Sequence, residues 1–399
     1  MESAMNILGI SCHYHDAAAA LICDGKVVAA AQEERFNRQK HSPVFPIQSI
    51  NYCLQSQGLT CYDIDHVVFY EKPFLKFERV MLGHLRSYPL SLPNFLATLP
   101  HWLEERLSIP ISVRRELSFK GRVLFTKHHL SHAASAFLPS PFVDAAILTV
   151  DGVGEWATTT WGKGAGNAIE IINELHYPNS LGLLYSAITA YLGFEANSAE
   201  GKVMALSDFG EPTYLDEFHR MVDLRADGSF EIDSSFFGFN RGRRMVSRAF
   251  IRRFGPQRKA AAELEQRHRD MAASLQAFIE EAMLTMARHA HTQTGMKHLC
   301  MAGGVCLNCV ANTRILKETP FEKVFIQPAA GDAGGALGAA AFVAHSLFDQ
   351  PRNYVMETAY LGPDYESARI HRMLCARQAT FTELEVDEQA IEAARQIAA

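Results

Sequence analysis

No stretch of this 399-residue chain stays apolar for the roughly 18 residues a membrane-spanning helix needs. The richest run, around Ala336–Ala344, is short and built mostly of alanine and glycine. No basic-then-apolar secretion signal opens the chain, so no membrane partner is expected. The 8 cysteines are scattered, without the dense spacing of a secreted disulfide scaffold, and a reducing, cytoplasmic compartment is expected. An excess of basic residues is also missing: 38 Lys and Arg stand against 44 Asp and Glu, a net charge of -6. That disfavours a nucleic-acid partner and leaves only a local basic segment, Arg241–Lys259, which reads as a solvated face or, more sharply, as a phosphate contact. Neither the Walker nor the dinucleotide fingerprint occurs, and no H-E-x-x-H metallopeptidase motif does, because His129 stands where its Glu would be.

What is present is ordinary globular composition, 48% hydrophobic and 21% charged, in a length that suits about two or three lobes. Asn6–Ser11, Ala17–Cys23 and Lys26–Gln32 read as strands, the last two joined by Asp24-Gly25, a type I′ hairpin signal. A helix over Ile47–Gln57 and strands at His66–Tyr70 and Arg122–Thr126 follow. The pattern then recurs. Three strands (Ala145–Asp151, Trp156–Trp161 and Ala168–Asn173) precede a helix over Leu181–Leu192 with Ser180 as cap and a long helical region from about Arg258 to Thr292. A strand at His298–Ala302, a helix from Val305, a strand at Lys323–Gln327 and a helix through Ala333–Ser346 complete it. Two such openings predict a duplicated α/β architecture with two similar lobes around a cleft, where ligands favour binding.

His128-His-Leu-Ser-His132 follows a strand and opens a helix. Positions i and i+4 share a face, so His128 and His132 can point at one metal ion, or can simply be histidines of a capped helix. Asp332 has two roles open to it: helix N-cap, which its surroundings alone favour, or third ligand of a two-histidine, one-carboxylate site. Such a site suits Fe(II), with zinc and manganese as alternatives. Asp151-Gly-Val-Gly-Glu155 and Gly303-Gly-Val-Cys-Leu-Asn308 are glycine turns whose backbone can approach a phosphate or nucleotide, or can serve turn geometry only. His15-Asp16 follows the first strand and offers a general base toward an alcohol, although residue chemistry alone favours a structural histidine. Cys306-Leu-Asn-Cys309 lacks the context of a redox or zinc pair, and buried small side chains account for it better.

These motifs occur in a fixed order together with Gly9–Asp16, Glu33-Glu-Arg-Phe-Asn-Arg-Gln-Lys-His41 with Phe45-Pro46, His128–Phe137, Glu200-Gly-Lys-Val-Met204, Arg267–Gln276 and Gly331-Asp-Ala-Gly-Gly-Ala336. Together they resemble, over nearly the whole chain, the O-carbamoyltransferases of nodulation-factor and antibiotic biosynthesis. The resemblance implies an actin-like (ribonuclease H-like) nucleotide-binding fold, close to that of the tRNA threonylcarbamoyl transferase. Its first lobe would be 5–140 and its second 141–350. Residues 351–399 would be a linker and the start of a threonylcarbamoyl-AMP synthase-like domain that makes carbamoyl-adenylate from carbamoyl phosphate and ATP.

The resemblance further implies iron at His128, His132 and Asp332, and adenylate binding at Asp151, Gly152, Gly154, Lys202, Gly303, Gly304 and Asn308. His15, Asp16 and Lys40 are the implied catalytic residues, His15 deprotonating the hydroxyl of a small-molecule acceptor. The donor would derive from carbamoyl phosphate, and a homodimer is left open. Ala205 and Ser207-Asp208 depart from the family's more usual Gly and Ala-Pro. The competing readings are a tRNA-modifying transferase of the related type, a metallopeptidase and an inactive nucleotide-binding module.

Overall fold

A computed structural model describes residues 5–86, 88, 89, 91–239 and 245–399. The chain opens with β1 (Asn6–Ser11), β2 (Ala18–Cys23) and β3 (Lys26–Gln32), an antiparallel meander. Asp24 and Gly25 between β2 and β3 have φ of 47° and 75°, the left-handed pair that the Asp-Gly signal predicts. β4 (His66–Phe69) and β5 (Val123–Phe125) then add in parallel on the other side of β1, giving the order β3-β2-β1-β4-β5.

The same construction repeats. β6 (Asp144–Val150), β7 (Ala157–Ala165) and β8 (Ala168–His176) form a second meander. After a small ribbon of β9 (Val222–Leu224) and β10 (Phe230–Ile232), β11 (His298–Ala302) and β12 (Lys323–Ile326) join in parallel, so the second sheet runs β12-β11-β6-β7-β8. Order and sense match the first sheet strand for strand. This is the duplicated, actin-like α/β architecture expected above. Burial follows topology: every residue of the central β1 is buried, as a strand covered on both faces requires, whereas none is in the edge strand β8.

Two helices place the site. His128–Phe137 follows β5 and packs on β6 and β11, while Asp332–Ala341 follows β12 and packs on β1 and β2. They also pack on each other, and small residues allow it. A Cβ on Gly338 would fall 1.8 Å from the Ser131 carbonyl oxygen. The result is a central helical layer between the sheets, buried within one apolar cluster, while a second cluster fills the other face of the second sheet against Leu181–Tyr191 and Gln266–Thr294.

The helix foreseen from Arg258 starts only at Gln266 and runs to Thr294. Arg258 explains the delay. Its guanidinium is buried and donates to the carbonyls of Leu192, Ala260 and Ala262, which holds the preceding segment irregular. That residue is therefore neither a solvated face nor a phosphate contact. Arg253 pairs with Glu217, and Arg241–Arg244 lie outside the described residues. The helix expected from Val305 is a short 3₁₀ turn, Gly304–Leu307, and then a helix, Cys309–Glu318, capped by Asn308. Three helices between β4 and β5 (Pro73–Arg86, Leu92–Glu104 and Ile109–Leu117) had no expectation attached.

By contacts the chain forms two compact units, 1–361 and 362–399. The second holds the helices Ser367–Ala376 and Val386–Ala398, neither of which buries a residue. All eight cysteines are free; Cys306 is buried and Cys309 exposed. No helix among the described residues is long and apolar enough to cross a membrane.

Candidate active site and metal centre

The N-terminal turn of His128–Phe137, the end of β6 and the first residue of Asp332–Ala341 meet at one point. His128, His132, Asp151 and Asp332, all buried, each offer a ligand atom there, and these atoms lie within 4.8 Å of one another. The two imidazoles meet nearly at right angles, with Nε2 atoms 3.1 Å apart. His128 Nε2 is 3.0 Å from Asp151 Oδ2 and 3.6 Å from Asp332 Oδ1, and His132 Nε2 is 3.8 and 3.6 Å from the same oxygens. Ligand atoms bound at about 2.1 Å to one ion sit about 3 Å apart when adjacent, so this donor set fits a divalent metal. Two ring nitrogens at such a distance otherwise share only one proton.

The two expected histidines and Asp332 are thus brought together. Asp332 is not a cap: it is the first helical residue, and its Oδ2 accepts from the Tyr70 hydroxyl at 3.3 Å. Asp151, assigned from sequence to a nucleotide turn, brings its carboxylate into the same group. Its other oxygen accepts from the Gly304 N–H at 2.8 Å. Gly303 makes that approach feasible, with φ of 100° and a Cβ position that would lie 2.3 Å from the Val150 carbonyl oxygen.

Electrostatics follow from this packing. Burial opposes a charge on His128, but Asp332, Asp151 and Glu71 hold its pKa well above the ordinary value. Burial likewise opposes charge on Asp151, yet the hydrogen bond from His128 and the nearby imidazoles hold its carboxyl well below the usual range. Asp332 is held low against burial by His15 and His128. His129 behaves differently. It is buried, its Nε2–H donates to the Ala157 carbonyl, its Nδ1 accepts from Thr149, and burial followed by the charge of His128 pushes it down to about 3. It is a neutral structural histidine.

A cavity of about 290 Å³ opens against the cluster. Its walls include Tyr14, His15, Asp16 and His41, then Asp151, Gly152 and Val153 with Gly182, Leu183, Tyr185 and Ser186, and Gly304, Asn308, Gly331 and Asp332. Asp16 bridges two histidines, with Oδ2 2.8 Å from His15 Nδ1 and Oδ1 2.7 Å from His41 Nδ1. Burial disfavours charge on His15, but Asp332 and then Asp16 raise its pKa to about 9. His15 Nε2 lies 3.8 Å from Asp332 Oδ2.

The remaining sequence-assigned residues sit further out. Lys40 is exposed and donates to the Ser198 carbonyl at 3.4 Å, beside the cavity. Lys202 is exposed and is not among the lining residues. Gly154 packs on the His128 ring. Asn308 reaches the cavity wall, but its amide is taken up by Gln276 and by the Ala311 N–H.

Several residues had no role foreseen. Glu155 accepts from the backbone N–H groups of His128, at 3.0 Å, and Lys72, at 2.8 Å, anchoring the helix that carries His128 and His132. Glu33 does the same for the helix Ile47–Ser56 through Ser49, and Glu34 accepts from the His41 N–H. Tyr70 and Glu71, at the end of β4, belong to no motif, and only a charged Glu after an apolar strand hinted at them.

A family model described as Carbamoyltransferase N-terminus matches residues 6–341. The uncharacterized protein sll1178 of Synechocystis sp. is 46% identical over 383 residues, which is 92% of this chain and 62% of that protein. Nodulation protein NolNO of Sinorhizobium fredii is 35% identical over 367 residues, 89% of this chain and 50% of that protein. The chain therefore spans about half to three-fifths of the length of these curated relatives. Among solved structures, component A of (R)-2-hydroxyglutaryl-CoA dehydratase from Acidaminococcus fermentans is 13% identical with a TM-score of 0.46, covering 86% of this chain and 98% of that one.

Proposed function

The chain belongs to the carbamoyltransferase family, and from that premise we propose that it carries the transfer site of an O-carbamoyltransferase, moving a carbamoyl group from carbamoyl-adenylate to the hydroxyl of a small-molecule acceptor such as a natural product or sugar. The observation that carries this reading is the shared cavity: an imidazole backed by a carboxylate, His15-Asp16, opens onto the same space as the buried His128, His132, Asp151 and Asp332 cluster.

In this reading the His15 Nδ1–H donates to Asp16, which leaves Nε2 to take the acceptor's hydroxyl proton. The alkoxide oxygen bonds to the carbamoyl carbon, the bond from that carbon to the phosphate oxygen breaks, and AMP leaves. A ferrous or other divalent ion held by the four buried donors would supply Lewis acidity toward a phosphate oxygen and would offset the carboxylate charge that keeps His15 protonated. The backbone at Gly152 and Gly304 borders the cavity without side chains and leaves room for the nucleotide. Lys40 is the proposed neutraliser of substrate charge at the edge.

The test uses the full-length protein with carbamoyl phosphate, ATP and a panel of hydroxylated acceptors, read by mass spectrometry. Mass gain of one carbamoyl group on an acceptor, with stoichiometric AMP, is expected. It should be lost in His15→Ala, and in His132→Ala together with bound metal by elemental analysis. AMP release with no carbamoylated acceptor, or full metal content in His132→Ala, would sink this reading.

A further inference from the structure

His128 presents Nε2 to the proposed metal centre, and its other ring nitrogen, Nδ1, is buried without a hydrogen-bond partner. The polar atom facing it is Glu71 Oε2, at 3.6 Å. That carboxylate is itself gripped by Lys76 at 2.6 Å, and both side chains of the pair are buried, 9% and 4% exposed. Lys76 in turn lies over the ring of Tyr14, 4.5 Å from its centroid, and Tyr14 lines the cavity. The neighbouring residue, Tyr70, donates to Asp332. One dipeptide at the end of β4 therefore stands behind two of the four donors, although neither of its residues offers an atom to the cluster.

We propose that Glu71, fixed in place by Lys76, is the positioning residue that accepts the Nδ1–H of His128 and so commits Nε2 as the metal-binding nitrogen. The inference rests on the reading of His128 as a ligand. Its chemistry is general: an imidazole that binds metal through one nitrogen donates the other N–H, and a carboxylate acceptor fixes both tautomer and ring angle while raising ligand basicity. A buried ion pair is otherwise a poor route to stability, because desolvation offsets most of its attraction. Its location against a ligand's second nitrogen gives the pair a purpose that stability alone does not. Lys76 keeps Glu71 ionised and fixes its reach, so the two act as one unit.

The experiment compares wild type, Glu71→Gln and the double variant Glu71→Gln/Lys76→Met, all full-length, by chelator competition for Zn(II) and Fe(II) and by melting temperature without metal. Both variants should bind metal about 10–100-fold more weakly than wild type. The double variant, which leaves no buried charge unpaired, should melt near the wild-type temperature. In wild type labelled with ¹⁵N-histidine and loaded with Zn(II), the ring assigned to His128 should show an Nδ1 proton shifted downfield and protected from solvent, resolved from the Nδ1 signals of His15, His41 and His345, which have other acceptors. That measurement needs no variant to fold. Wild-type metal affinity in a folded double variant, or His128 with a bare Nδ1 in the zinc-loaded wild type, overturns the proposal while leaving the ligand assignment intact. Failure of wild type to bind metal overturns both.

Discussion

Asp16 at φ 53° and His41 at 55°, both lining the cavity, hold the backbone in the left-handed region. Such residues each cost about 1–3 kcal/mol and persist only where their surroundings fix them. Here the Asp16 carboxylate, shared by His15 and His41, supplies that constraint and aims His15 at Asp332. A different histidine reports on the pH response of the fold. His345 is buried, its Nδ1–H donates to the Gln350 carbonyl, and burial, then the Arg352 charge, hold it below its ordinary 6.5. The unfolded chain binds this proton near pH 6.5 and the folded chain only at lower pH. Between the two the unfolded state carries more protons, so stability falls as pH drops from 6.5. His345→Asn, whose amide can keep the donor, should flatten that slope by up to one proton in denaturant titrations at pH 7, 6 and 5. An unchanged slope would remove His345 from the account. At this scale the pairing of His128 with His132 was legible because helical spacing puts positions i and i+4 on one face, whereas Asp332 by itself read as a helix cap and joined them only through the family resemblance. The Asp151 carboxylate was not legible, since a turn aspartate looks the same whether it faces a ligand or its own backbone. Tyr70 and Glu71 act through space from a strand end that no spacing rule marks.

The central pair of helices is where the site and the fold become one problem. His128–Phe137 carries two donors and Asp332–Ala341 a third, and their separation is set where Gly338 meets the Ser131 backbone. Gly338→Ala pushes the helices apart. A loss of about 1–3 kcal/mol in stability is expected, and with it a loss of metal affinity, because His132 and Asp332 move apart together. Chelator competition on the folded variant reads the second effect separately from the first; metal affinity equal to wild type would show that the helices do not set the site's dimensions. Strands and their turn were readable in the sequence because period and Asp-Gly chemistry are local. The start of Gln266–Thr294 was not, because it depends on Arg258 finding carbonyls that other segments supply. The three helices between β4 and β5 escaped for a different reason: their apolar period is as marked as that of Ile47–Ser56, but Pro73, Pro93, Pro100 and Pro110 punctuate the segment, and Pro100 sits inside a helix where proline ordinarily signals a break.

Across the whole 1–361 unit, the two sheets share one cluster of donors. His128 and His132 follow the last strand of the first sheet, while Asp151 and Asp332 follow strands of the second. An ion bound there would tie both sheets into one cooperative body. Adding Zn(II) or Fe(II) at 100 times its dissociation constant should stabilise that body by about 2.7 kcal/mol and raise a single melting transition. Calorimetry showing two transitions, only one of them metal-sensitive, would contradict the shared tie. The duplicated order was visible in the sequence as two runs of three strands. That the repeat closes on a common centre came only through the family resemblance, which joined His128 and His132 of the first lobe to Asp332 of the second; no local spacing rule reaches between residues so far apart in the chain.

That distance also has a direction in time. A ribosome releases His128, His132 and Asp151 long before Asp332, so a growing chain owns three of its four donors while the last helix is still unmade. In the proposed centre such a half-built site would grip an ion weakly and leave it open to exchange. Only the arrival of Asp332, carried in on the helix after β12, would close the fourth side. Maturation of that centre would then be scheduled by chain order, with Asp332 as the last part fitted.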